Sequence, residues 1–348
     1  MVRRVLWASL LLAPLTIAVD KLTDAGDVAL FVLAAVALIP LAWLIGEATE
    51  HAAEHTGPGI GGFLNASFGN APELMVALFA VGANLPVVVR GSLSGSVISN
   101  LLLVYGVTQI AGPDGARIDR RSLLAQIGLV GAAVVAFAVP AAIGYTGLPE
   151  RHAVVVASVP VAILLLLLYL AVVGRNLRRH REDAREHEEP SEGTWSLTAA
   201  LAVLAAATGA TAWVSEILVH SLHTFAEEVG LSEFFIAVVI VAIVGNAAEH
   251  GGAILIAHAG KMRLATEIAI SSSAQVALLV VPVVVILSLL FAHRLALAFR
   301  WSELVAMAGA TVVVAATVWD GRSRRKEGMF LVAAYAAAVV GFLVGGGR

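Results

Sequence analysis

Residues 68–78 read FGNAPELMVAL, and residues 244–254 read VGNAAEHGGAI. Each stretch places a Gly-Asn pair, and a Glu three residues after the Asn, inside an otherwise apolar segment. Gly69, Asn70 and Glu73 align with Gly245, Asn246 and Glu249 at an offset of 176 residues. The segment after each continues the match. Ser96, Ser99 and Asn100 lie in GSVISNLLLV (95–104), and Ser271, Ser272, Ser273 and Gln275 lie in ISSSAQVALLV (270–280). Glu73 precedes Asn100 by 27 residues, and Glu249 precedes Gln275 by 26. The chain therefore carries one two-segment unit twice, at 63–112 and 233–291.

The surroundings identify the solvent. Of 348 residues, 59% are hydrophobic and 14% charged, where a soluble domain carries about 25% charge. Several apolar runs exceed the ~18 residues that suggest a transmembrane helix. The ~10-residue alternating segments of a membrane β-barrel are absent. The chain reads as an all-α polytopic membrane protein. It has no Cys, which excludes disulfides, thiolate metal sites and Cys nucleophiles. The net charge of -3 says less than where the charges lie.

Eleven apolar spans are expected, at 5–19, 27–45, 63–82, 92–112, 122–141, 152–174, 197–218, 233–258, 265–291, 301–319 and 329–346. Arg3 and Arg4 before the first run also fit the n-region of a signal peptide, but the charge pattern favours an uncleaved helix. With the N-terminus cytoplasmic, 16 of the 22 Lys and Arg fall on the cytoplasmic side. The other six are Lys21, Arg90, Arg151, Arg294, Arg300 and Arg348. Such a bias is what positive-inside orientation requires, and an added or missing helix would scramble it. The C-terminus is then outside. An odd count suits one N-terminal helix (1–22) followed by five-helix halves at 23–174 and 197–348. A charged cytoplasmic linker (175–196) joins them.

In this topology Glu73 sits in a span that runs outward and Glu249 in one that runs inward, so the repeats are inverted. Many secondary transporters have this architecture, with the site at the repeat interface near mid-membrane. An ionised carboxylate there costs at least ~2.5 kcal/mol, so each Glu needs a cation, a proton or a partner. No Lys or Arg lies within either Glu-bearing span. Two carboxylates with amide, hydroxyl and carbonyl oxygens suit a hard cation such as Ca2+, which takes 6–8 oxygens. Pro72 has no N–H, so the Phe68 carbonyl loses its helical partner. Gly69, Gly245 and the Gly251-Gly252 pair are expected to loosen the same helices, with close helix packing as the plainer role of each glycine. Burial disfavours the charged form of a carboxylate and a nearby cation favours it. One site can then hold Ca2+ or protons in turn, which is the basis of antiport. His250 follows Glu249 and is a candidate for tuning proton coupling, or simply a packed or pore-facing residue.

GFLNASFGNAPELMVALFAV, VAIVGNAAEHGGAI, GSVISNLLLVYG and SSSAQVALLVVP resemble the two repeats of the cation exchanger (CAX) family of Ca2+/H+ antiporters, within the wider Ca2+/cation antiporter superfamily. The resemblance covers nearly the whole chain. It implies a first helix outside the core, two inverted five-helix halves, alternating access, and export of Ca2+ against protons. It implies Glu73 and Glu249 as the ion-binding pair supported by Asn70 and Asn246, with Asn100, Gln275, Ser99 and Ser272 lining the site. No cofactor is expected, since Ca2+ and H+ are cargo. The bilayer is the expected partner, nucleic acid is not, and a homo-oligomer is left open. Short loops and the lack of a targeting segment lead us to expect a prokaryotic inner membrane protein. Ser271-Ser272-Ser273-Ala274-Gln275 departs from the family's usual Gly-Ser-Ser. The linker is also of mixed charge where the family's is often acidic, which weakens the case for acidic Ca2+ regulation there.

Other features compete with this reading. GEATEHAAEH (46–55) contains His51, Glu54 and His55 as H-x-x-E-H, a zinc peptidase pattern, so a membrane zinc hydrolase is one alternative. The alternative we favour is a cytoplasmic cluster in which Glu47, Glu50 and Glu54 attract cations and His51 and His55 sense pH, against a plain solvated helix end. Mn2+/H+ or Na+/Ca2+ exchange would use similar oxygens. GPGIGG (57–62) lacks the strand and βαβ context of a phosphate loop. The linker reads as a solvated connection or as a segment sensing ions or anionic headgroups. Glu216, Glu233, Glu267 and Glu303 are taken as span-end residues, where charge is cheap. Asn65 and His258 are weaker pore-lining candidates.

Overall fold

The computed structural model describes residues 2–145, 151–183 and 195–345. Residues 184–194 of the linker lie outside this range, and its first part, through Asp183, continues the helix that starts at His152. The protein is helical throughout apart from one two-residue ribbon. There Ala116–Arg117 pairs antiparallel with Arg322–Ser323 and ties together two cytoplasmic turns.

Among the described residues nine helices are long and apolar enough to cross a membrane. A tenth crossing is the pair Glu233–Gly245 and Ala247–His258, bent by 55° at Asn246. The remaining expected span, 63–82, is not one helix. Helix Asp27–Phe68 runs through the second span and on into the third, and the rest of the third is the short helix Ala71–Gly82. The long helix is hydrogen-bonded but not straight. The Thr49 hydroxyl lies 3.4 Å from Asn65 Oδ1, although sixteen residues of straight helix would separate them by about 24 Å. A Cβ on Gly61 would collide with Ala53, so the chain doubles back between these residues. GPGIGG falls inside this helix.

Local sequence explains the ends. Ser196 caps helix Leu197–Val229 by accepting from the Ala199 N–H at 3.3 Å, and Gly230 closes it at φ 69°. The outer surface is apolar. Val135, Leu164 and Val312 are 72%, 62% and 69% exposed, as befits helices facing lipid. The core is also apolar and runs through both halves, including Leu93, Val97, Leu101, Val238, Val241, Val276 and Val280.

The duplication is visible in the backbone. Both Glu-bearing helices break at the Asn, with φ, ψ of -94°, 18° at Asn70 and -93°, 6° at Asn246. Each next connection turns on a left-handed residue, Asn84 (φ 59°) and Gly260 (φ 82°). Asn is among the few side chains that tolerate that region. The amides that follow bond back alike, Leu85 N to Ala80 O and Lys261 N to Ile256 O. Each second helix then widens into a π-helical turn just at or after the amide residue, at Ser99–Val104 and Val276–Val280. Repeat 2 breaks without a proline, so the Gly-Asn pair is the shared device. Pro72 lies in the first turn of the new helix, where its missing N–H costs little. Contrary to expectation, Gly251 and Gly252 open no break, because they lie inside helix Ala247–His258.

Candidate ion-binding site

The two broken helices and the two amide-bearing helices converge at the centre of the protein. Asn70 Nδ2 donates to Gln275 Oε1 at 2.8 Å. Its two-fold counterpart is the bond from Asn100 Nδ2 to Asn246 Oδ1 at 3.1 Å. Each bond joins the Asn of one repeat to the amide of the other. Such reciprocal contacts are the signature of a two-fold relation.

The glutamates obey the same rule. A Cβ on Gly69 would stand 3.3 Å from Glu249 Oε1, and one on Gly245 would stand 3.4 Å from Glu73 Oε1. The Gly of each GN pair thus lets the opposite repeat's carboxylate approach bare backbone. Glu73 is buried at 7% exposure, and Glu249 is half-buried. The second oxygen of each, Oε2, is buried with no hydrogen-bond partner. Polar atoms buried without partners are rare in folded proteins and ask for an explanation such as an ion. Among the described residues no group of three or more His, Asp or Glu forms a metal cluster. Any cation here would be held by two carboxylates and neutral oxygens.

Asn100, 1% exposed, is the hub. Its Nδ2 also donates to Ser272 Oγ at 2.9 Å, and its Oδ1 lies 2.9 Å from His250 Nε2. An amide oxygen only accepts, so Nε2 of His250 carries the proton. Asn246 Nδ2 donates to Ser96 Oγ at 2.8 Å and to Ala242 O at 2.9 Å. Ser96 makes this contact across the repeats, whereas Ser99 bonds back to the Ser96 carbonyl at 3.2 Å. Sequence spacing does not separate the two serines, because the choice depends on how the helix is rotated. Asn65 is exposed and contacts Thr49, and His258 is exposed at a helix end.

The H-x-x-E-H cluster has another structure. His51 stacks on Trp195 with centroids 4.4 Å apart, and its Nε2 lies 3.9 Å from Glu47. His55 Nε2 lies 2.7 Å from the Trp195 carbonyl oxygen. Trp7 packs on Trp195 from the other side and on Trp43. Glu50 and Glu54 are exposed. The two imidazoles are thus engaged with Trp195 and do not converge on a metal, which removes the zinc hydrolase alternative.

Glu303 corrects another expectation. It is 1% exposed rather than a solvated span end. Arg90, counted above with the outer loops, is 5% exposed.

The sodium/calcium exchanger protein family model matches residues 27–177 and again 199–344. The chain is 42% identical over 328 residues to the Ca(2+)/H(+) antiporter ChaA of Bacillus subtilis (strain 168), covering 90% of this chain and 92% of that one. It is 36% identical over 344 residues to the Ca(2+)/H(+) antiporter of Synechocystis sp. (strain ATCC 27184 / PCC 6803 / Kazusa), covering 91% of each. Among solved structures, native YfkE superposes with a TM-score of 0.84 at 36% identity, over 98% of this chain and 99% of that one. The H+/Ca2+ exchanger CAX matches with a TM-score of 0.75 at 17% identity, over 98% and 92%, which speaks for the fold alone. With the family's unit matched once in each half around a reciprocal pair of GNxxE motifs, the chain belongs to the sodium/calcium exchanger protein family and to its cation exchanger branch.

Proposed function

We propose that this protein is a secondary active antiporter that exports Ca2+ from the cytoplasm in exchange for protons by alternating access. The observation that carries the reading is the pair Glu73 and Glu249, each with one buried oxygen lacking a hydrogen-bond partner and each resting against the other repeat's glycine. Its relatives ChaA of Bacillus subtilis and the Synechocystis protein are Ca(2+)/H(+) antiporters by name, which supports the choice of ions. Two carboxylates balance the charge of one Ca2+, and amide and hydroxyl oxygens complete its shell. When the cation leaves, two close carboxylates in a low dielectric favour taking up protons. Competition for the same oxygens couples the two fluxes.

Asn100 holds Asn246, Ser272 and His250 in one network, so occupancy at Glu249 is sensed by the His250 imidazole. Asn70 and Gln275 play the equivalent part at Glu73. The sealed side is extracytoplasmic: Val76, Ala77, Ala80, Val88, Val89, Val280, Val284 and Val285 are buried there. Glu249, Gln275 and Ser271 are partly exposed, so we read the state as open toward the cytoplasm.

We count eleven spans, taking the doubled-back tail of Asp27–Phe68 with Ala71–Gly82 as the third. The Arg and Lys distribution puts the N-terminus in the cytoplasm, the C-terminus outside and the protein in the cell's inner membrane. The first helix lies outside the two five-helix halves. Glu47, Glu50 and Glu54 draw cations to the cytoplasmic mouth, and His51 and His55 report cytosolic pH through Trp195.

The test is 45Ca2+ flux in proteoliposomes under an imposed pH gradient, for wild type, Glu73→Gln and Glu249→Gln. Flux that follows the pH gradient, needs no Na+ and disappears in both variants is expected. Flux that requires Na+, or that Mn2+ alone supports, would reassign the ions. Flux that survives both substitutions would reject the site.

A further inference from the structure

A second charged cluster lies outside the ion site. Glu303 accepts from Ser94 Oγ at 2.6 Å through Oε1 and from the Arg300 N–H at 2.7 Å through Oε2. The guanidiniums of Arg90 and Arg300 both act on it as positive neighbours. Arg90 also donates from Nη1 to the Ala296 carbonyl at 3.2 Å, and Arg300 lies 4.2 Å over the Phe234 ring. Glu303, Ser94 and Arg90 are 1%, 1% and 5% exposed. Breaking such a pair leaves an uncompensated buried charge, so stability alone is weak grounds for keeping one.

The cluster has a two-fold counterpart. Arg90 and Glu267 are 177 residues apart, as are Gln126 and Glu303, within one or two residues of the offset that relates the ion-site motifs. Gln126 donates to Glu267 from Nε2. Each contact joins the amide-bearing helix of one half to a later helix of the other half. One lies near the extracytoplasmic end of its helix and the other near the cytoplasmic end. Arg90 is ten residues before Asn100, and Glu267 is eight before Gln275. That is about 15 Å and 12 Å along a helix.

We infer that Arg90 and Glu267 are positioning residues: with Glu303 and Gln126 they brace the two amide-bearing helices, and so set where Asn100 and Gln275 present their amides to the ion site. Neither residue touches the ion. A brace at the far end of each helix fixes its rotation and height, and rotation already distinguishes Ser96 from Ser99 at the site.

The inference rests on the Ca2+ reading above, and the test separates the two. Purified full-length wild type, the double variant Arg90→Met/Glu303→Leu, Arg90→Lys and Glu267→Leu are compared by 45Ca2+ binding, by flux and by thermal unfolding. The double variant leaves no unpaired buried charge. Arg90→Lys keeps the charge but loses the planar fork, and decides on the same criterion should the double variant not accumulate. We expect Kd and KM for Ca2+ to rise about tenfold in the Arg90 variants and in Glu267→Leu, with kcat changed less than threefold. A purely structural role would lower Tm and the yield of active protein while KM stays at the wild-type value. That result in either the Arg90 or the Glu267 variants overturns the inference. Wild type that binds no Ca2+ would overturn the Ca2+ reading itself, and the inference built on it.

Discussion

The carboxylate of Glu249 rests against the backbone of Gly69, and a Cβ on Gly69 would stand 3.3 Å from Glu249 Oε1. Glu73 and Gly245 repeat the arrangement from the other side. An alanine at either position must push a carboxylate by a few tenths of an ångström, and ion coordination is sensitive to shifts of that size. Gly69→Ala and Gly245→Ala should each raise the KM for Ca2+ about tenfold, which corresponds to about 1.4 kcal/mol, with protein abundance near wild type. Concentration-dependent 45Ca2+ flux measures this, and an unchanged KM in both would show that the glycines serve packing alone.

Asn100 serves three partners at once, Asn246, Ser272 and His250. Asn100→Ala leaves all three buried groups short of a hydrogen bond, and each such loss costs about 1–3 kcal/mol. The variant should lose at least 100-fold in flux. Asn100→Asp keeps the size but removes the donor that Asn246 and Ser272 share, and adds a third negative charge. It should hold Ca2+ tightly and turn over slowly, which separate binding and flux measurements would reveal.

Stacking of His51 on Trp195 changes character with pH. A protonated imidazole over an indole face is a cation–π pair worth about 0.5–1 kcal/mol at an exposed site. The charged neighbours are Glu47, Glu50, Glu54 and His55, and Trp7 covers the other side. Protonated imidazole also quenches indole emission. Lowering pH from 8 to 5, the range in which imidazoles change charge, should dim the Trp195 component of fluorescence, taken as wild type minus Trp195→Phe. The dimming should vanish in His51→Gln. A pH-independent difference spectrum in wild type would remove the sensing role.

Asp119 offers a contrast outside the membrane. Its carboxylate accepts from the Ser122 N–H at 3.2 Å and from Arg263 at 2.9 Å. The backbone bond first, and the Arg263 side chain second, hold its pKa below the ordinary carboxylate value. A lowered pKa means stability that is present above the unfolded value of about 3.9 and lost as pH falls through the folded one. Asp119→Asn should therefore lower Tm slightly at pH 7 and have no effect near pH 3. Its flux between pH 6 and 8 should follow the wild-type profile, since Asp119 stays ionised throughout.

Much of the protein was legible in the chain itself. Hydropathy is a local property, so the spans at 86–111, 120–144, 197–229 and 325–345 fall close to where apolar runs and charged ends put them. The third span is the exception. There the helix doubles back between Ala53 and Gly61, which hydropathy cannot register because both arms are apolar. The duplication was equally open to reading, since GNxxE recurs with a matched amide two turns of chain architecture later. Glu73 and Glu249 followed, because a bilayer leaves a carboxylate few alternatives.

What only the tertiary structure decided is which residue meets which. The bonds Asn100 to Asn246, Ser94 to Glu303 and His55 to Trp195 join positions 146, 209 and 140 residues apart. No spacing rule spans such distances, because helix rotation and close backbone packing choose the partners. That is why Ser96 rather than Ser99 faces Asn246, why Glu303 is a buried anion rather than a rim charge, and why the H-x-x-E-H pattern clamps an indole instead of a metal. Sequence set the helices and the charges the bilayer must accommodate; the packing of two inverted halves determined the pairs.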